Sequence, residues 1–222
     1  MLRPLREDVP SGSLPVVVAT LALLDVVLFV HVTRLASSES IAFVERWGLV
    51  PRELLRAFAH PASAGLRAWL TPLTSMFLHG DALHLAGNLL FLGIFGTQIE
   101  RQLGPARFLV FYATCGLAAA ALHVALAPSS YVVTLGASGA ISGLLGAYLV
   151  GHPGARLRLF GSDRWIPLGA FLVLWIALQL AAGLVALRDG GGGVAWWAHA
   201  GGFGMGAALA PRLVPARARS RS

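Results

Sequence analysis

The sequence predicts an all-α polytopic membrane protein, a six-transmembrane-helix bundle with a long structured first loop. Three observations predict it. Of 222 residues, 56% are hydrophobic and only 12% charged, with a mean hydropathy of +0.72; soluble domains carry about 25% charged residues. The apolar residues gather in runs close to the roughly 20 that a bilayer core about 30 Å thick requires of a helix. The seventeen basic residues are all arginine and fall mostly between those runs. Charge beside membrane spans reads as topology, so the net charge of +7 does not imply a nucleic-acid partner. The single cysteine, Cys115, excludes an internal disulfide and reads as a small packing residue.

Residues 1–13 form an N-terminal tail, expected on the cytoplasmic side. The first span, Leu14–Leu35, is too long for a typical secretory signal, and no small-residue cleavage site follows it. Asp25 sits at its middle, where an ionised carboxylate facing lipid costs about 3 kcal/mol. It is therefore expected to face the bundle, protonated or internally bonded. The segment 36–81 is too broken by Pro51, Pro61, Pro72 and charges to span. Its mixture with "LLRAFA" and "AWLTPL" suggests a structured interfacial loop with short amphipathic helices.

Four further apolar runs follow at Ala82–Ile99, Ala106–Ala127, Ala137–Gly151 and Trp165–Leu187, with a sixth at Val194–Val214. Gly190–Gly193 separates the last two, and 215–222 is a basic C-terminal tail. With the N-terminus inside, eleven of the seventeen arginines lie on cytoplasmic pieces. The positive-inside rule then puts both termini in the cytoplasm. The expected location is the cell (inner) membrane, crossed several times. His123 and His152, near span ends, are expected at the interfaces.

The fourth span is short. Its fifteen residues cover about 22 Å at 1.5 Å each, against a core of about 30 Å. Its outer end, with Ser138, should lie below the membrane surface. Pro128–Gly136 would then enter the protein as non-helical backbone, which is tolerated only where it is buried in protein or lines a wet cavity.

Intramembrane polar residues are expensive and usually functional or internally paired. His84 and Asn88 share one face of the second span, with His79 above them, and the sixth span carries His199. On the topology above, all of these and Ser138 fall in the outer half of the membrane. Each taken alone has a plainer explanation: a histidine or asparagine can be interhelical glue, and small-xxx-small stripes mean only close packing. Together they say more. Gly139 and Gly143 make such a stripe beside Ser138, with Gly136 just before it, and Gly202 and Gly206 make another beside His199. Close backbone approach is how two helices bring a serine within the 2.6–3.2 Å reach of a base.

The stretches "GASGAISG", "HGDALHLAGN" and "AHAGGFGMG" resemble the GxSG, HxxxxHxxxN and AHxxG motifs of the rhomboid family of intramembrane serine proteases. "GTQIERQLGPARFLVFY" resembles the family's stretch after span two, with Glu100, Arg101 and Gly104 in place. The similarity extends over about Trp69 to Leu209. It implies a rhomboid-like six-helix bundle and a Ser–His dyad without an acid. Ser138 would be the nucleophile and His199 the general base and then acid. His84 and Asn88 would donate to the oxyanion with the Ser138 backbone N–H, and His79 would support the site. Nothing near span six offers a carboxylate to orient His199, so packing and a preorganised oxyanion hole are expected to carry the dyad.

Two positions depart from the family pattern. Trp69 is followed by Leu70 where an arginine is common, so the loop's arginine-dependent anchor is missing or replaced. The position one turn after the nucleophile, often aromatic, is Ser142, which is expected to orient His199 through a hydroxyl instead.

The reading is an intramembrane serine endopeptidase cutting in or near the transmembrane segment of membrane-protein substrates. No metal site and no cofactor is expected; its partners would be transmembrane protein substrates and the lipid bilayer. The competing readings are an inactive relative that binds membrane proteins for quality control or trafficking, and a channel or transporter. The first is opposed by the presence of both Ser138 and His199. The second lacks a second ligand cluster or an inverted repeat.

Overall fold

A computed structural model of the chain describes residues 5–6, 14–158, 165–188 and 195–213. The rest of the 1–13 tail, residues 159–164, Gly190–Gly193 and the 215–222 tail lie outside the described residues, with the arginines in them. Apolar runs become helices because a helix satisfies its own backbone hydrogen bonds where water is absent. Among the described residues, three helical stretches are long and apolar enough to cross a membrane: Val16–Arg34 (α1), Ala82–Leu103, and Pro105–Leu126 (α7). Ser138–Gly151 (α8) and the Leu168–Ala181 part of Leu168–Arg188 (α9) are shorter apolar helices, and Trp196–Leu213 (α10) closes the described chain. The protein is an all-α, multi-pass integral membrane protein.

The Ala82–Leu103 stretch is two α-helices, Ala82–Phe91 (α5) and Thr97–Leu103 (α6), joined by a π-helical turn at Leu92–Gly96. The chain then reverses at Gly104, whose φ of +77° suits glycine, and Pro105 starts α7 with a ring already set for a helix. Glu100 on α6 is 2% exposed and accepts from the backbone N–H groups of Val17 (2.9 Å) and Val18 (2.8 Å). A carboxylate thus occupies the positive end of α1, where the first N–H groups have no carbonyl of their own.

The core forms around α8. Every residue from Gly139 to Tyr148 is buried, as expected of a helix apolar on all sides. Its glycines let backbones meet. A Cβ on Gly202 would fall on the carbonyl oxygen of Gly139, one on Gly206 on that of Gly143, and one on Gly146 on that of Phe203. The two glycine stripes therefore face each other. Cys115 of α7 fills the space in front of Gly143, so it is a packing residue. Asp25 is 1% exposed and faces the bundle interior.

Between α1 and α5 the loop folds as Ser37–Trp47 (α2), Pro51–Ala59 (α3) and Leu66–Thr74 (α4), followed by a 3₁₀ turn at Ser75–Phe77. Trp69 packs edge-on against Phe58, ring centroids 4.8 Å apart, tying α4 to α3. Leu70 cannot provide a guanidinium, but Arg67 does, donating to the Arg46 carbonyl (3.2 Å), while the Thr74 hydroxyl donates to the Trp47 carbonyl (2.7 Å). The non-helical segment before α8 is pinned to this loop. Leu49 and Thr134 exchange backbone hydrogen bonds of 3.0 and 2.7 Å, and Arg52 N–H donates to Ser130 (3.1 Å). Three of its polar backbone groups are thereby paired, which helps it sit against the bundle.

The opposite end of α8 carries a feature outside an all-α reading. Leu5–Arg6 (β1), Arg156–Arg158 (β2) and Trp165–Pro167 (β3) form a small antiparallel sheet in that order, with Leu5 opposite Leu157 and Leu157 opposite Ile166. The N-terminal segment and the connection between α8 and α9 thus share one side of the bundle. The apolar run read from Trp165 becomes helical only at Leu168, because its first three residues pair in the sheet.

Candidate active site

The site is built at the start of α8. Gly136 has a φ of +117°, and its N–H donates to the Ser75 carbonyl (2.9 Å). That conformation turns the chain from the loop-pinned segment into the helix, and only glycine adopts it readily. Ser138 is the first helical residue and no side chain caps the helix. Its backbone N–H therefore has no carbonyl partner within α8 and lies at the positive end of the helix dipole.

His199 approaches from the first turn of α10. Its Nε2 lies 2.8 Å from Ser138 Oγ. The approach is possible because Gly139, the residue after Ser138, and Gly202, three residues after His199, touch through backbone atoms. The Ser142 hydroxyl does not orient the histidine as expected. It turns back along α8 and donates to the Ser138 carbonyl (2.6 Å), a bond typical of serine inside a helix.

The group that reaches the other side of the ring is Gln179 on α9, whose Oε1 accepts from Nδ1 of His199 at 2.7 Å. Sequence reasoning looked for a carboxylate near span six and passed over this amide. The signal was present, since Gln179 is the one polar side chain in "VLWIALQLAAG", and intramembrane polar residues usually have partners. Two indoles flank the same imidazole: Trp175, centroids 5.9 Å away, and Trp196, edge-on at 6.2 Å.

α5 supplies the third side. Asp81 caps it, accepting from the His84 N–H (2.8 Å), so the helix starts where His84 and Asn88 point at the segment before Ser138. A Cβ built on Gly136 would stand 2.8 Å from Cε1 and Nε2 of His84 and 3.7 Å from the Asn88 amide nitrogen. Asn88 is 7% exposed, and its NH₂ has no protein hydrogen-bond partner among the described residues. A buried amide donor left free beside Gly136, two residues before Ser138, is unusual, because such a group costs about 1–3 kcal/mol. His79 packs edge-on against His84, centroids 5.2 Å apart, and is buried.

A cleft of about 30 Å³, large enough for water, opens beside Ser138 and is lined in part by Ser75, Met76, Gly116, Thr134 and Ala198. His123 is buried within the protein. It is 8% exposed, on the face of α7 near His199, because α10 packs through Gly201 directly onto α7 at Ala118 and Leu122. His152 is equally buried at the far end of α8, stacked on Tyr148 with its Nε2 2.9 Å from the Gln102 amide nitrogen.

The arrangement provides a hydroxyl hydrogen-bonded to an imidazole, a ring held at its second nitrogen, and free donors close by. The Rhomboid domain family model matches residues 66–216. Rhomboid protein 1, mitochondrial, of Saccharomyces cerevisiae is 35% identical over 136 residues, 60% of this chain and 38% of the relative. Rhomboid protease GluP of Bacillus subtilis is 41% identical over 81 residues, 36% of this chain and 15% of the relative. Rhomboid-type serine protease 2 of Emericella nidulans is 31% identical over 145 residues, 64% of this chain and 26% of the relative. The chain spans less than half the length of each of these relatives.

Proposed function

The chain belongs to the rhomboid family, and from that premise we propose that it is an intramembrane serine endopeptidase working through a Ser138–His199 dyad. The supporting observation is the 2.8 Å hydrogen bond between a hydroxyl and an imidazole that lie on different helices. The substrate is a membrane protein, cut in or near its transmembrane helix. The segment around the bond must unwind first, since a helical peptide's carbonyl is already engaged. Residues of low helix propensity near the cut help.

Ser138 Oγ attacks the scissile carbonyl carbon while His199 Nε2 takes its proton. The negative charge collects on the carbonyl oxygen, where the Ser138 backbone N–H, the Asn88 amide and the His84 ring donate to it. As the C–N bond breaks, His199 gives the proton to the leaving amine, and an acyl-enzyme remains on Ser138. Water, admitted through the cleft beside Ser138, then attacks the ester with His199 as base, regenerating the serine. The buried, unpaired NH₂ of Asn88 acquires its partner only when that oxyanion forms.

The membrane is taken to be the cell (inner) membrane; the arginine distribution supports both termini on its cytoplasmic side, so substrates enter from the outer leaflet's half. The test is cleavage of a panel of single-span reporters in liposomes by wild type, Ser138→Ala and His199→Ala, with fluorophosphonate labelling of the serine. Wild type should cleave and label at Ser138, and both variants should do neither. Because the two groups act as one unit, the double variant should be no worse than either single. Binding of the reporters without cleavage by wild type would identify a non-proteolytic relative.

A further inference from the structure

The geometry points to Gln179 of α9 as the positioning residue for His199, the group that selects the imidazole tautomer able to take the Ser138 proton. This inference rests on the proteolytic reading of Ser138 and His199. A neutral imidazole carries its proton on one nitrogen, and the hydrogen bond at one nitrogen decides the state of the other. The amide oxygen Oε1 of Gln179 can only accept, so at 2.7 Å it calls for a proton on Nδ1. Nε2 is then the bare nitrogen, and it is the one 2.8 Å from Ser138 Oγ. In the opposite tautomer Nε2 would donate to the hydroxyl, and the serine could not hand over its proton. The lone pairs of Nδ1 and Oε1 would also face each other.

The same residue limits rotation of the ring. Bonds at Nδ1 and Nε2 hold it from opposite edges, and Trp175, one turn earlier on α9, flanks it. α9 thus contributes both an acceptor and a wall to a histidine that belongs to α10. As the imidazolium forms, the carbonyl dipole of Gln179 faces the new charge. A neutral amide stabilises that charge less than a carboxylate does, so the contribution is mainly orientation. Partners that fix the ring of a metal-bound histidine are worth about 10- to 100-fold, and a loss of at least that order is expected here. The other titratable groups that face the ring, His84 from α5 and His123 from α7, are common to wild type and variants and leave the comparison unaffected.

The experiment compares full-length wild type, Gln179→Leu, Gln179→Glu and Ser138→Ala in liposomes with one single-span reporter. It measures kcat, KM, the pH profile of kcat/KM and the melting temperature. Gln179→Leu should lower kcat by at least about 10- to 100-fold with KM little changed, because orientation acts on the chemical step. Gln179→Glu keeps the acceptor and adds charge. It should recover most of kcat and move the acidic limb of kcat/KM to higher pH, since a carboxylate makes the ring hold its proton longer. A residue that served only as helix glue would shift melting temperature and leave that limb in place. Gln179→Leu cleaving at the wild-type rate overturns the inference, as does a Gln179→Glu limb that coincides with wild type. If Gln179→Leu fails to fold, the Gln179→Glu profile alone decides. Cleavage by Ser138→Ala would instead overturn the proteolytic reading. An inactive Ser138→Ala beside an unimpaired Gln179→Leu would remove only the positioning role.

Discussion

Gly202 of α10 lies so close to Gly139 of α8 that a side-chain carbon on Gly202 would occupy the position of the Gly139 carbonyl oxygen. Gly139 follows Ser138 directly, and Gly202 lies three residues after His199, so this backbone contact sets the separation of hydroxyl and imidazole. Any side chain there must move a helix, because a carbonyl oxygen within a helix cannot rotate away as a flexible side chain would.

Gly202→Ala is therefore expected to lower cleavage about 100-fold, the cost of a misplacement near 1 Å. The accompanying loss of stability should be about 1–3 kcal/mol. Gly204 on the same helix is the control, since nothing lies within 4 Å of a Cβ there. Gly204→Ala should cleave normally, and exchanging a helical glycine for alanine should leave its melting temperature equal or higher. Equal cleavage rates for the two variants would mean that this contact does not set the dyad.

The free NH₂ of Asn88 makes a second expectation specific. Asn88→Ala should lower kcat about 10- to 1,000-fold, since it removes one oxyanion donor, yet change melting temperature little, because that donor has no protein partner among the described residues to lose. His84→Ala should lower kcat more severely and also disturb the His79 ring packed against it. Unchanged kcat with lowered melting temperatures would make both residues structural.

Glu100 offers the converse case, a residue that should matter to stability and not to chemistry. Its carboxylate carries the first turn of α1 through two hydrogen bonds, one buried and one partly buried. Glu100→Gln keeps the shape but removes the charge and one acceptor, at a cost of about 1–3 kcal/mol. Thermal unfolding in detergent should register the loss. The cleavage rate per folded molecule should not fall, since Glu100 lies on the side of the bundle away from Ser138.

His152, just past the end of α8, should give the fold a pH dependence. Burial pushes its imidazole down from 6.5 to about 4, so the folded protein holds it neutral where an unfolded chain would protonate it. Its stabilising contribution is then complete above about pH 6.5 and is lost as the pH falls toward 4. Protonation of Nε2 would also set a donor against the Gln102 amide nitrogen. Melting temperature measured against pH should fall less steeply over that window in His152→Leu than in wild type. Parallel curves would show that His152 does not contribute.

Much of this protein was legible in its sequence because membrane insertion depends on local sums. Apolar content over about 20 residues decides whether a helix forms in lipid, and the runs that became α1, α7, α8 and α10 begin and end within two residues of where composition put them. The candidate site residues stand out in the sequence for a related reason. Serine, histidine and asparagine are costly among apolar neighbours, so Ser138, His199, His84 and Asn88 stand out one by one, and their spacing within each helix carries the family resemblance.

The tertiary structure decided what depends on how one helix is rotated against another. The lone polar side chain of the α9 run says that Gln179 needs a partner, but not that the partner is His199 of α10, which depends on how the two helices are rotated. Ser142 donates to its own helix and not to His199, a choice that its position in the sequence leaves open. His123 lies at a span end by position yet is buried, because glycine at 201 lets α10 close over it. Leu5–Arg6 pairs with a strand some 150 residues away, a partner that two residues cannot specify. Hydropathy adds up along the chain, whereas contact depends on shape, and shape exists only once the helices have packed.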